Sequence, residues 1–223
     1  MKNKLLSIVL ILVLSASCAI AQEKSKMSFA ILGGLNFQNL NGKAYNGDKL
    51  KNDMLLGYHA GINIQIPVAP EFYFQPGVLF AVKGAKNTSG SVTSTTKLNY
   101  IEMPLNLVYK ASLGQGFFML GFGPYLAYGI GGKVKTEGGA LSLTQDVKFQ
   151  NTVESGDNLL VPYYKALDAG ANIFVGYEVA GGLFLQLDSQ FGMLNINPEY
   201  KALTNDKSAV KNTGFGLTLG YRF

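Results

Sequence analysis

Period-2 alternation recurs along this chain in about eight segments, and it limits the fold more than any other feature. The clearest is the last. Thr213, Phe215, Leu217, Leu219, Tyr221 and Phe223 share one face of a strand, and Asn212, Gly214, Gly216, Thr218, Gly220 and Arg222 share the other. The same pattern runs through residues 28–38, 56–66, 72–83, 100–110, 118–130, 167–178 and 183–193. Each segment reaches the roughly 9–11 residues that a tilted strand needs to cross a hydrocarbon core, whereas strands of soluble proteins run to about 5 or 6.

The connections obey a second rule. Residues 67–71, 111–116 and 179–182 are short, while 38–53, 84–96, 131–162 and 195–211 are long and polar. Long and short alternate, as extracellular loops and periplasmic turns do in outer-membrane barrels, which puts both chain ends in the periplasm. A Greek-key sandwich has no reason to keep that order. Residues 141–149 also alternate, so the third long loop is expected to extend a hairpin beyond the membrane.

The amino terminus agrees. Lys2 and Lys4 precede an apolar run over 5–14, and Ala19-Ile20-Ala21 is a small-x-small cleavage site. The expectation is a signal peptide over 1–21 and a single β-barrel domain over 22–223. Acylation at Cys18 is the competing reading, which Ser15 disfavours because lipoprotein boxes carry Leu there. Cleavage after Ala21 removes the only cysteine, excluding disulfides and thiolate metal sites from the exported chain. The formal charge of +5 falls to +3 without Lys2 and Lys4, and no basic run concentrates it, so nucleic acid is not an expected partner. Beyond the leader no apolar run is long enough for a spanning helix, and an open sheet edge cannot face lipid. The fold class expected is therefore all-β, an eight-stranded antiparallel up-and-down transmembrane β-barrel.

Alternation assigns each residue to lipid or lumen. Phe72, Phe74, Tyr109, Phe118 and Tyr177 lie near the short-turn ends of the apolar faces and are expected to form a periplasmic aromatic girdle. Tyr221 and Phe223 join them and end the last strand in the manner of a barrel-assembly signal. Most strand glycines fall on the inner face among Tyr73, Tyr100 and Tyr125. That suggests a narrow interior filled by side chains, as eight strands allow. Lys83, Glu102, Lys110, Asp168, Glu178, Asp188 and Arg222 are also inward, and should neutralise one another because an unpaired buried charge is costly. A structural salt-bridge network is preferred over a proton or ion path. Arg222 and Glu178 are the expected closest pair.

Chemistry for catalysis is sparse. His59 is the only histidine, placed on the lumen face beside glycines, and a packed, hydrogen-bonded role suits it better than acid-base work. Asp48, Asp53 and Asp206 lack the spacing of a calcium loop. The glycine-rich stretch GFGPYLAYGIGG lacks the Lys-Ser/Thr ending of a phosphate loop. No cofactor is expected.

Several segments resemble the PorT-like outer-membrane β-barrel family of Bacteroidota, the "porin family" of OmpX/OmpA-like small barrels. They are Phe74-Gln75-Pro76-Gly77, Tyr100-Ile101-Glu102-Met103-Pro104-Leu105, Gly121-Phe122-Gly123-Pro124-Tyr125, Asp168-x-Gly170 with Gly176-Tyr177-Glu178, Gly192-Met193-Leu194-Asn195-Ile196, and the terminal Tyr-Arg-Phe. The resemblance implies a Gram-negative outer-membrane protein. It implies no single function: some members support protein secretion, and fold alone does not choose among roles. No peptidoglycan-binding domain is expected after Phe223. The expected role is structural or interactive, with outer-membrane lipid, the barrel-assembly machinery and an unidentified extracellular or envelope protein as partners. A small-solute or ion channel is the alternative, and a lipid-modifying enzyme a weaker one.

Overall fold

A computed structural model describes residues 26–203 and 205–223. The leader expected over 1–21 lies outside the described residues. Among the described residues thirteen strands follow in order: β1 (Ser28–Lys43), β2 (Leu55–Ala69), β3 (Phe72–Ser89), β4 (Val92–Leu113), β5 (Gly116–Gly138), β6 (Leu141–Asp146), β7 (Lys148–Phe149), β8 (Thr152–Val153), β9 (Tyr163–Tyr164), β10 (Leu167–Val179), β11 (Leu183–Gly192), β12 (Glu199–Tyr200) and β13 (Ala209–Arg222).

Eight of them form a closed antiparallel ring, β1-β2-β3-β4-β5-β10-β11-β13, in which β13 returns to β1 with Ala30 opposite Arg222 and Lys43 opposite Ala209. The fold is therefore an all-β, up-and-down barrel of eight strands. Closure is what allows these strands to face lipid, since no ladder edge is left open in the ring. The ring strands span 10 to 23 residues, longer than sandwich strands.

Register sorts the side chains as the alternation requires. Phe29, Ile31, Leu35, Tyr58, Ile62, Val78, Phe122, Ile173, Leu187 and Leu217 are exposed on the outside. Asn36, His59, Gln75, Glu102, Asn106, Tyr125, Asp168 and Phe184 are buried inside. The girdle residues stand at the short-turn end. The Phe72 and Tyr109 rings lie 5.2 Å apart, Phe118 sits opposite Tyr177, and Phe223 stacks on Phe29 at 4.7 Å.

The long connections differ from the sequence reading. Residues 84–96 are not a loop: β3 and β4 continue through them to a tight turn at Gly90-Ser91, where Gly90 has φ +60°. The run is polar but rich in Thr, a strong strand former, so polarity marked water and not irregular backbone. Likewise β5 runs to Gly138 and pairs with β6, the hairpin expected from 141–149. Among the described residues β6 has no second neighbour, and it leaves an open edge beyond the ring.

The interior core comes in two layers. Near the long-loop end, Leu40, Ala85, Leu98, Tyr100, Tyr125, Ala127 and Ile196 cluster, with Val147, Phe149, Tyr164 and Val210 packed against them. Near the short-turn end, Ala30, Val108, Met119, Phe174 and Phe184 cluster, backed by Leu32 and Tyr73.

Candidate functional site

The lumen contains three polar layers. The layer nearest the long loops centres on Lys83, whose Nζ lies 2.7 Å from Glu102 and 3.4 Å from Asp168. Its ammonium stands over the Tyr125 ring at 4.2 Å, and Asp168 also accepts hydrogen bonds from Tyr125 at 3.3 Å and Asn212 at 2.9 Å. Burying a lysine this deeply requires such a cage of carboxylates and ring faces.

At the short-turn end, Glu178 is shared by two cations. Lys110 Nζ lies 2.7 Å from its Oε1, and Arg222 Nε donates to its Oε2 at 3.0 Å. The Arg222 guanidinium also donates to Asn63 at 3.2 Å and Gln75 at 3.3 Å. Together with Phe184, whose ring is 5.4 Å from the guanidinium carbon, this set fills the barrel's lower end.

Between these layers sits Asp188. The expectation that it would meet Lys83, Lys110 or Arg222 is not met. The three cations are committed toward the two ends, and strand alternation specifies face but not depth. Its carboxylate accepts from Thr218 Oγ1 at 3.1 Å, and Thr218 in turn lies 2.8 Å from His59 Nε2. With the Thr218 proton directed at Asp188, His59 Nε2 must be the donor to Thr218. The order is thus histidine to threonine to aspartate, not the arrangement in which histidine takes a nucleophile's proton. The close packing explains a glycine: a Cβ at Gly34 would collide with the His59 ring and the Leu217 carbonyl.

Around this trio lies a cavity of about 80 Å³ lined by Asn36, Gln38, Asn63, Gln75, Asn106, Asn172, Gln186 and Gln190 together with His59, Glu102, Asp188 and Thr218. Gln190 donates to Glu102. These amides were not singled out from the sequence. The signal was present: Asn and Gln recur on the inward faces of β1, β2, β3 and β4 at mid-strand.

Both ends of the lumen are covered. Over the long-loop end, Ile196 is held in place by Ile196 N–H to Val210 O at 2.8 Å and Lys165 N–H to Ile196 O at 2.8 Å. Phe149 lies across Gly129, where any Cβ would strike its ring, and β7 is fixed by parallel pairing with β9. Among the described residues no group of three His, Cys, Asp or Glu side chains is placed to hold a metal ion.

Geometry of this kind, an apolar belt outside and a filled polar interior, defines a small transmembrane β-barrel. The chain belongs to the outer membrane protein beta-barrel domain family, whose model matches residues 20–197. Solved structures that resemble it include Ail, the attachment invasion locus protein of Yersinia pestis, at 11% identity over 89% of this chain and 99% of that one, with a TM-score of 0.38. Neisserial surface protein A aligns at 10% identity over 89% of this chain and 100% of its own, with a TM-score of 0.45. The outer membrane protein AlkL aligns at 16% identity over 91% and 94%, with a TM-score of 0.34. No curated protein matches the sequence.

Proposed function

We propose that this protein is a structural or interaction protein of the outer membrane, exported by its leader, with both termini in the periplasm and the extended hairpins outside. The observation that carries the reading is the contrast between a lumen filled by side-chain clusters toward both ends and an apolar strand outside it, β6, which among the described residues pairs with β5 on one edge only. Leu141 and Leu143 lie exposed on β6, and Leu160 is tethered beside them by a hydrogen bond from Gln145 Nε2 to its carbonyl at 2.6 Å. Exposed apolar groups on an open strand edge fit a protein partner that adds a strand or covers the row. The finer kinship with PorT-like barrels, and through it a role in secretion or envelope integrity, belongs to this proposal.

Lipid is the second partner: the outward apolar belt needs it, and the girdle rings suit its headgroup level. Channel activity is the competing role, and the polar cavity is what would favour it.

Planar-bilayer recording of the folded barrel, with crosslinking in cells, tests the reading. The expected result is no conductance steps, and a crosslinked adduct lost in Leu141→Asp/Leu143→Asp while heat-modifiable gel mobility is retained. Steady conductance from the unmodified protein would replace this role with the channel.

A further inference from the structure

The lumen's fixed charges do not balance. Glu102, Asp168, Glu178 and Asp188 face three basic side chains, Lys83, Lys110 and Arg222. The imbalance is also uneven in space. Two cations share Glu178 at the short-turn end, whereas among the described residues Lys83 alone serves Glu102 and Asp168 at the other, and Asp188 has no cation at hydrogen-bond distance. Negative charge is therefore concentrated around the central cavity, into which Glu102 and Asp188 both project. A buried carboxylate without a compensating charge is strongly disfavoured.

The cavity wall supplies a second observation. Asn36 Oδ1, Gln38 Oε1, Asn106 Oδ1 and Asn172 Oδ1 line it and have no hydrogen-bond partner among the described residues, and neither has one donor, Gln186 Nε2. Asn36, Gln38 and Asn106 are at least 95% buried. The orientation of Asn36 is fixed, because its Nδ2 donates to the Val82 carbonyl at 3.0 Å and turns Oδ1 away. Four of the five unpartnered amide atoms are thus oxygens, gathered beside carboxylates. Neutral oxygens around one net negative charge are the donor set of a hard cation. Because the excess is a single charge and no three-ligand His/Asp/Glu group exists among the described residues, the matching ion is monovalent. A cavity of about 80 Å³ has room for such an ion with one or two waters.

We propose that the central cavity is a binding site for a monovalent alkali cation, Na⁺ or K⁺, held by Asp188 and the side-chain carbonyls of Asn36, Gln38, Asn106 and Asn172. The ion completes the charge balance of the lumen and gives the buried amide oxygens a partner. The site is independent of what the outer strands bind.

The test uses the full exported chain refolded separately in detergent with NaCl, KCl or choline chloride at equal ionic strength and pH 7.5. Choline is the control because its quaternary ammonium, shielded by methyl groups, cannot be coordinated directly by carbonyl or carboxylate oxygens. The expected result is a heat-modification midpoint about 3 °C or more higher in one alkali salt than in choline, with the difference removed by Asp188→Asn. Should Asp188→Asn fail to fold, ²³Na line broadening by the unmodified protein, relieved by K⁺, supplies the readout. Equal midpoints in all three salts with no broadening overturn the proposal. So does a midpoint that rises only on acidification and loses that rise in His59→Gln, which would assign the compensating charge to a proton.

Discussion

Arg222 Nε and Glu178 Oε2 meet at 3.0 Å across the barrel interior, with β11 lying between the strands that carry them. The contact ties the last strand of the ring to β10, and Lys110 on β4 completes it from the opposite wall. Removing each member should therefore cost different amounts. Arg222→Ala loses three hydrogen bonds but leaves Glu178 paired with Lys110, for a loss of about 2–3 kcal/mol. Glu178→Gln leaves two cations facing each other with no counter-charge, which should cost about 3–5 kcal/mol. Urea unfolding in detergent would measure both. A Glu178→Gln barrel as stable as Arg222→Ala would show that the two cations do not depend on this carboxylate.

Closure depends on β13, which pairs with β1 on one side and β11 on the other. Its final residue is held as well, with Phe223 N–H donating to Phe29 O at 2.8 Å and the ring stacked on Phe29. Phe223→Ala should lower the yield of heat-modifiable barrel in cells several-fold, and a chain ending at Thr213 should give none, because unpaired edges of β1 and β11 would face lipid. Surface exposure of the truncated chain at the unmodified level would contradict the assembly role.

Phe149 and Ile196 both lie in the cluster that covers the long-loop end of the lumen. Phe149→Ala and Ile196→Ala each empty part of the outer cluster and should destabilise the barrel by about 2–5 kcal/mol. Neither should produce conductance, because the Lys83 cage and the Arg222 set still block the path. Conductance from Phe149→Ala alone would mean that the inner layers are permeable.

How far the sequence foretold this structure depends on what period-2 alternation encodes. It encodes face, so the inward placement of Lys83, Glu102, Asp168, Glu178 and Arg222 follows from counting. It does not encode depth, which is why Asp188 was assigned a cationic partner it does not have. Nor does it encode the covers: Ile196 and Phe149 sit in polar connections between ring strands, and only contacts distant in sequence show that they fold back over the barrel mouth. The stretch 84–96 was misread because Thr and Lys signal water as readily in a strand as in a loop. The amide-lined cavity was missed because Asn and Gln, taken one at a time, look like ordinary lumen polarity.

Proline positions lead to the last expectation. Pro76, Pro104 and Pro124 stand on three consecutive strands, and proline cannot donate to a ladder. The pairing is interrupted beside each of them. Between β2 and β3 it breaks where Ile64 and Gln65 face Pro76 and Gln75, and between β3 and β4 where Gly77 and Val78 face Pro104 and Met103. Between β4 and β5 it breaks where Leu105 and Asn106 face Pro124 and Gly123. The three gaps form a continuous line through one wall of the barrel, whereas the β1–β13 ladder runs without a break from Ala30 to Lys43. Backbone groups without a ladder partner open more readily. Hydrogen–deuterium exchange of the detergent-folded protein should then show peptides covering 62–66, 76–79 and 103–107 exchanging at least about tenfold faster than those covering 214–219. Uniform protection around the ring would mean that other contacts hold the proline line as firmly as the unbroken seam.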